Sequence, residues 1–179
     1  MHDYSHGRDP WCSCSIEIKQ GYGFFYKLEY VCGGKAYSLY EIEHEKVIGP
    51  AQDPRVHFVL NCGSEGCPAV RPELPSGVAL EPYLAQAARD FVADPRNVRV
   101  DHEARRVTLS QIFEWYRDDF LMELRRRGQP AERGLLGYLR LVAAQDMQAD
   151  LARAQDYELT FRQYDWSVNG LRFEADAPR

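Results

Sequence analysis

Within RVHFVLNCGSEGCPAV, residues 55–70, a histidine sits inside an apolar run, and cysteines at 62 and 67 frame a loop of glycine, serine and glutamate. A cysteine nucleophile reacts as its thiolate, so it needs a nearby histidine or other positive influence, and a carboxylate or amide to orient that histidine. Cys62 is the candidate nucleophile, His57 or His44 the base, and Asp165 or Glu43 the orienting carboxylate. Asn61 or the backbone amides of 63–65 are candidates to stabilise an oxyanion. Ser64, Trp166 and Asn169 are candidate substrate contacts, with Asn169 a second group able to orient an imidazole. If residues 56–62 stay extended, His57, Val59 and Asn61 share one face, and Phe58, Leu60 and Cys62 the other. A direct His57–Cys62 pair therefore requires a break at Asn61, which Gly63 permits.

Other chemistries fit the same residues. Cys62 and Cys67 can form a disulfide or a redox-sensitive clip, or Cys62 can simply pack as a small apolar side chain at a strand end. His44, His57, Cys62 and Cys67 are acceptable zinc ligands by type, with a spacing at the edge of the common knuckles; no metal is expected. The chain has five cysteines, an odd count in a chain long enough to fold without staples, so reduced thiols are expected. Asp118 and Asp119 read as a solvated charge pair, and His102 as an exposed hairpin residue.

The elements that must position these groups follow from periodicity. Gly21 to Tyr37 is rich in aromatic and β-branched residues and predicts a hairpin turning at Gly33-Gly34. Ser38 with Glu41 forms a capping box opening a short helix that Gly49-Pro50 ends. VHFVLN, 56–61, has the length and apolarity of a central strand, and Cys62 to Pro75 reads as a loop. Leu80, Leu84, Ala88, Phe91 and Val92 mark a helix ending at Asp94-Pro95. Val98/Val100 and Val107/Leu109 mark a hairpin, and Ser110 caps a long helix ending in Arg125–Arg127 and Gly128. Two shorter helices, at 133–144 and 146–154, precede a last strand through Tyr157, Leu159 and Phe161. This order predicts an α+β fold, a single domain over 21–175 with a mixed or antiparallel sheet packed by several helices, after a mobile leader over 1–20.

Net charge is −5, so no overall positive field favours nucleic acid, and no apolar run approaches the roughly 20 residues of a membrane span. No phosphate-binding glycine loop, Walker lysine or dinucleotide fingerprint is present, so no cofactor is expected. The expected partner is a small-molecule or peptide substrate, or a protein. The N-terminus lacks an export signal, which predicts a cytoplasmic protein as written, or an exported one if the true start is missing.

Five blocks in order, YSLYEIEHEKVI, DPRVHFVLNCGSEGCPAV, ARDFVADPRNVRV, VTLSQIFEWYRDDF and YDWSVN, resemble domain of unknown function family 547 over about residues 25–170. That family includes bacterial exported proteins and plant proteins with an added leucine-zipper segment. Its pattern begins with a helix around W-x-N-x-Y-N-A, which has no counterpart upstream of Gly21. The resemblance carries a likeness of fold to papain-like and transglutaminase-like thiol enzymes. It implies a thiol-dependent hydrolase or acyltransferase as one reading, and a non-catalytic interaction domain as the other.

Overall fold

The computed structural model describes residues 23–72, 75–130 and 134–169. The leader expected over 1–20 lies outside them. The chain divides into two compact units, Met1–Gln52 and Asp53–Arg179, and both contribute to an α+β fold.

In the first unit, β1 (Glu29–Cys32) and β2 (Lys35–Ser38) pair antiparallel with Tyr30 opposite Tyr37. Gly33 and Gly34 turn the hairpin at φ 60° and 80°, left-handed values that glycine adopts without a Cβ penalty. Phe24, Phe25 and Tyr26, expected in the hairpin, instead lie in a π-helical turn, Gly23–Lys27. The capping box forms as the spacing dictates: the Ser38 N–H donates to Glu41 Oε2 at 2.7 Å, and the Glu41 N–H donates to Ser38 Oγ at 3.2 Å. The helix it opens runs through Leu39–Glu41, a π-helical Ile42–Ile48 and Gly49–Ala51.

The second unit opens on a departure from expectation. VHFVLN is not a strand. Pro54–Phe58 form a 3-10 helix, with the Asp53 carboxylate accepting from the Arg55 N–H at 3.0 Å and proline at the start. A short apolar run is equally compatible with a buried strand and a buried helical turn; the Asp-Pro pair, a helix-start signature, decides here. Arg55, 8 % exposed, is held between Asp53 Oδ2 at 2.6 Å and Glu81 Oε2 at 2.7 Å. Both partners raise the pKa of the guanidinium.

α1 (Leu80–Ala93) buries Leu84, Ala87, Ala88, Phe91 and Val92, whereas Leu80, expected on the same stripe, stands exposed at its first position. β3 (Val98–Asp101) pairs antiparallel with β4 (Arg106–Ser110), which pairs in parallel with β5 (Glu158–Arg162), giving a mixed sheet in the order β3-β4-β5. The parallel pair demands a crossover, supplied by α2 (Ile112–Trp115), α3 (Arg117–Arg126), α4 (Gly134–Val142) and α5 (Gln145–Arg153). The single helix expected from Ser110 is thus two, broken at Tyr116 (φ −103°, ψ 26°). Ser110 ends β4 rather than acting as the N-cap, although its Oγ still accepts from the Ile112 N–H at 3.4 Å. Phe58 enters the core between Phe91, 4.7 Å away, and Phe120, 5.7 Å away. Burying such rings contributes on the order of 2–3 kcal/mol each.

Candidate functional site

The loop after the 3-10 helix is closed by Asn61. Its Oδ1 accepts from the Gly63 N–H and its Nδ2 donates to the Pro68 carbonyl, both at 2.7 Å. Gly63 takes φ 87°, and the Cys67 N–H donates to the Ser64 carbonyl at 3.1 Å. The last described segment then pairs along this loop. Glu65 N–H donates to Ser167 O at 2.8 Å, Gly66 N–H to Asp165 O at 2.9 Å, and Asn169 N–H to Gly63 O at 2.8 Å.

That pairing lays Tyr164 across the loop. A Cβ on Gly66 would come within 2.8 Å of the Tyr164 ring, so only glycine admits so close an approach. Trp115 and Trp166 flank the ring at centroid distances of 4.8 and 4.5 Å, leaving Tyr164 8 % exposed.

Four polar groups meet beneath it. Cys62 Sγ and Cys67 Sγ are 3.0 Å apart. Ser64 Oγ is 3.2 Å from the first and 3.3 Å from the second. Tyr164 Oη donates to Cys67 Sγ at 3.1 Å and lies 2.8 Å from Ser64 Oγ. The Cys62 N–H also donates to Cys67 Sγ, at 3.0 Å. Cys67 Sγ accepts from the Cys62 amide and the Tyr164 hydroxyl, and with the Cys62 thiol turned toward it these contacts suit Cys67 as the thiolate of the pair.

The pKa directions agree with it. The Cys67 thiol is lowered, first by the bond from the Cys62 side chain, against burial, with Ser64 and Tyr164 helping. Cys62 is raised by that same bond and by burial. Tyr164 is raised by burial and by Cys67, which keeps its hydroxyl a donor. Hydrogen bonds favour whichever form they bind, so donors converging on one sulfur separate two otherwise equal thiols.

Both cysteines are partly exposed, but only Cys67 borders a cleft. A cleft of about 460 Å³ is lined by Cys67, with Phe58, Ala87, Phe91 and Pro68 as apolar wall. Its rim carries the ion pairs Arg71–Asp90 and Arg96–Asp94. Cys62, expected as the nucleophile, does not line the cleft. Neither do Ser64, which is 5 % exposed, Trp166, which packs on the Tyr164 ring, or Asn169, whose N–H bonds the Gly63 carbonyl.

The histidines go elsewhere. His57 Nε2 is 2.9 Å from Asp119 Oδ2, and the ring stacks on Tyr116 at 3.7 Å with its side chain 1 % exposed. The carboxylate fixes the proton on Nε2, and Nδ1 is buried without a partner among the described residues. Asp119 is therefore not simply a solvated charge, contrary to expectation: this half-buried carboxylate in the first turn of α3 is engaged by His57. His102 is likewise not free. Its ring bonds Tyr157 Oη and Asp150 Oδ1, each at 3.0 Å, tying the β3-β4 turn to α5 and the start of β5.

In the first unit His44 Nδ1 donates to the Tyr40 carbonyl at 3.1 Å and its ring stacks on Tyr40. Glu43 sits on the same π-helical turn. Among the described residues none of the three histidines hydrogen-bonds a cysteine. Asp165 Oδ1 accepts from the Ser167 N–H at 2.9 Å and the Ser167 hydroxyl at 2.5 Å, capping its own turn. The loop amides expected at an oxyanion are engaged at Gly63 and Glu65. Among the described residues no group of three or more histidine, cysteine, aspartate or glutamate side chains is placed to hold a metal, so the zinc set does not assemble.

A family model described as a protein of unknown function, DUF547, matches residues 2–92. The chain belongs to DUF547. The span of the DUF547 match holds His57 and the whole Cys62–Cys67 loop, whereas Asp119 and Tyr164, which complete the two clusters, come from beyond it. No curated protein and no solved structure matches the chain. Among the described residues no helix is long and apolar enough to cross a membrane.

Sequence reasoning missed Tyr164 and Asp119 as partners of these clusters. Nothing local signals them, because each acts across a long sequence separation. Gly66 is the one residue that hints at a close approach within the loop itself.

Proposed function

We propose that this DUF547 chain carries a thiol–disulfide exchange site, with Cys67 as attacking thiolate and Cys62 as its resolving thiol. The observation that carries this reading is the 3.0 Å approach of the two sulfurs with Cys67 alone lining the cleft. Cys67 attacks one sulfur of a substrate disulfide, forming a mixed disulfide and releasing the other half as thiolate. Cys62 then gives its proton to that thiolate and attacks Cys67 Sγ. A Cys62–Cys67 disulfide forms and the second substrate thiolate leaves, so two electrons pass from the dithiol to the substrate.

The arrangement favours both steps. Before the first, the negative Cys67 holds the Cys62 proton in place; once Cys67 is in the mixed disulfide that charge is gone, and Cys62 ionises more readily. Tyr164 and Ser64 stabilise the attacking thiolate without being able to replace it. A hydrolase or acyl-transfer reading shares the Cys67 thiolate but needs a general acid for the leaving group. His57 is committed to Asp119, which makes exchange the better supported chemistry.

The test treats reduced protein with a disulfide reagent and maps the products by mass. A Cys62–Cys67 crosslink forming faster than modification of exposed Cys32 supports the proposal. Modification of Cys32 while Cys62 and Cys67 remain thiols overturns it.

A further inference from the structure

The exchange reading leaves the substrate open, and the charges around the cleft narrow it. The rim pairs consume two arginines: Arg71 bonds Asp90, and Arg96 Nη2 is 2.6 Å from Asp94 Oδ2. The Asp165 carboxylate is taken by Ser167. Two more side chains of opposite charge lie on the lining, Glu65 within electrostatic reach of Arg96 and Arg162 within reach of Asp94. Glu65, two positions before the reactive cysteine, and Arg162, at the end of β5, both border the cleft, and among the described residues neither side chain enters a hydrogen bond or ion pair. Strand pairing sets Arg162 opposite Ser110, and the loop pairing through the Glu65 amide and Ser167 fixes the backbone at Glu65. Both charges thus stand on restrained backbone.

A carboxylate and a guanidinium on the wall of the same cleft as Cys67 suit a ligand carrying both an ammonium and a carboxylate. A dication meets Arg162 unfavourably. A dianion meets Glu65 and the Cys67 thiolate unfavourably. The apolar wall formed by Phe58 and Phe91 accepts the methylenes and sulfurs between the charged ends. The volume, about 460 Å³, suits a molecule of amino-acid or short-peptide size rather than a folded partner.

We infer that the cleft takes a small zwitterionic disulfide of the amino-acid type, its carboxylate on Arg162, its ammonium on Glu65 and its sulfur at Cys67. This rests on the exchange reading, and it deepens it by naming the substrate class. The chemistry is the balanced exchange already described, with the reduced substrate leaving as one thiol and one thiolate.

The experiment compares four disulfides at equal concentration with reduced protein: cystine (zwitterionic), cystamine (cationic), dithiodiglycolate (anionic) and bis(2-hydroxyethyl) disulfide (uncharged). The rate of Cys62–Cys67 crosslinking is divided by the rate at which each reagent modifies Cys32 of the same molecule. Two partly exposed ionic contacts predict a preference for cystine of about tenfold over the uncharged reagent. Arg162→Gln should remove most of the preference for cystine over cystamine, and Glu65→Gln most of that over dithiodiglycolate. Equal normalised rates for all four, or ratios unchanged in both variants, overturn the substrate class while leaving exchange standing. Failure of every reagent to form the crosslink overturns both.

Discussion

Tyr164 Oη donates to Cys67 Sγ at 3.1 Å across a sequence separation of 97 residues. The contact joins the end of the second unit to the loop near its start, and it bears on the charge state of the sulfur that faces the cleft.

Tyr164→Phe removes that donor, together with the hydroxyl's 2.8 Å contact to Ser64 Oγ. A hydrogen bond to a charged group contributes about 1.5–3 kcal/mol, and one pH unit corresponds to about 1.4 kcal/mol. The apparent pKa of Cys67 should therefore rise by about one to two units, slowing its alkylation below neutrality. Measuring the rate of Cys67 modification against pH in both proteins checks this; superimposable profiles would rule out the role.

Gly66→Ala drives a methyl to within 2.8 Å of the Tyr164 ring. Overpacking of this kind costs about 1–3 kcal/mol. The single variant should unfold at lower urea than the parent, and Tyr164→Ala should absorb most of the effect in the double variant. Additive losses in that cycle would mean the two positions do not meet.

Asp119→Ala leaves both ring nitrogens of His57 buried and without a partner. A stability loss of about 1–3 kcal/mol follows from the unsatisfied group. The pH profile of Cys67 alkylation should not move, since His57 is not bonded to either sulfur. A shifted profile would return His57 to the thiol chemistry.

Stability should track the thiolate. Because Cys67 is lowered in the native state, its contribution is full above the unfolded thiol value of about 8.5 and is lost as pH falls through the lowered native value. Cys62 is raised, so its contribution is full below the unfolded value and lost as pH rises beyond it. Reduced parent protein should gain stability over Cys67→Ser as pH rises from about 6 to about 8 and stop gaining above that. Urea midpoints across this range test the sign, and a gap that narrows with pH would contradict it.

Much of the framework is legible in local sequence. Gly33-Gly34, the Ser38/Glu41 box, the stripe Leu84, Ala88, Phe91 and Val92, and the alternation at Val98–Val100 and Val107–Leu109 each specify an element through interactions a few residues apart. VHFVLN misleads because periodicity cannot separate short buried segments, and the Asp53-Pro54 start weighs more than apolarity. The candidate site resists local reading for a related reason. Spacing shows that Cys62 and Cys67 can meet but not which of them faces the cleft, since that is set by Tyr164 from the far end of the chain. Asp119 looks solvated beside Asp118 until the helix break at Tyr116 turns it toward His57.

The most direct test of the account is rate-resolved iodoacetamide labelling of the reduced native protein over a pH series, with mass mapping of Cys32, Cys62 and Cys67. The account predicts that Cys67 labels first, with an apparent pKa below that of Cys32, and that Cys62 stays protected until Cys67 has reacted. Labelling of Cys62 ahead of Cys67, or protection of both until the protein unfolds, would contradict it.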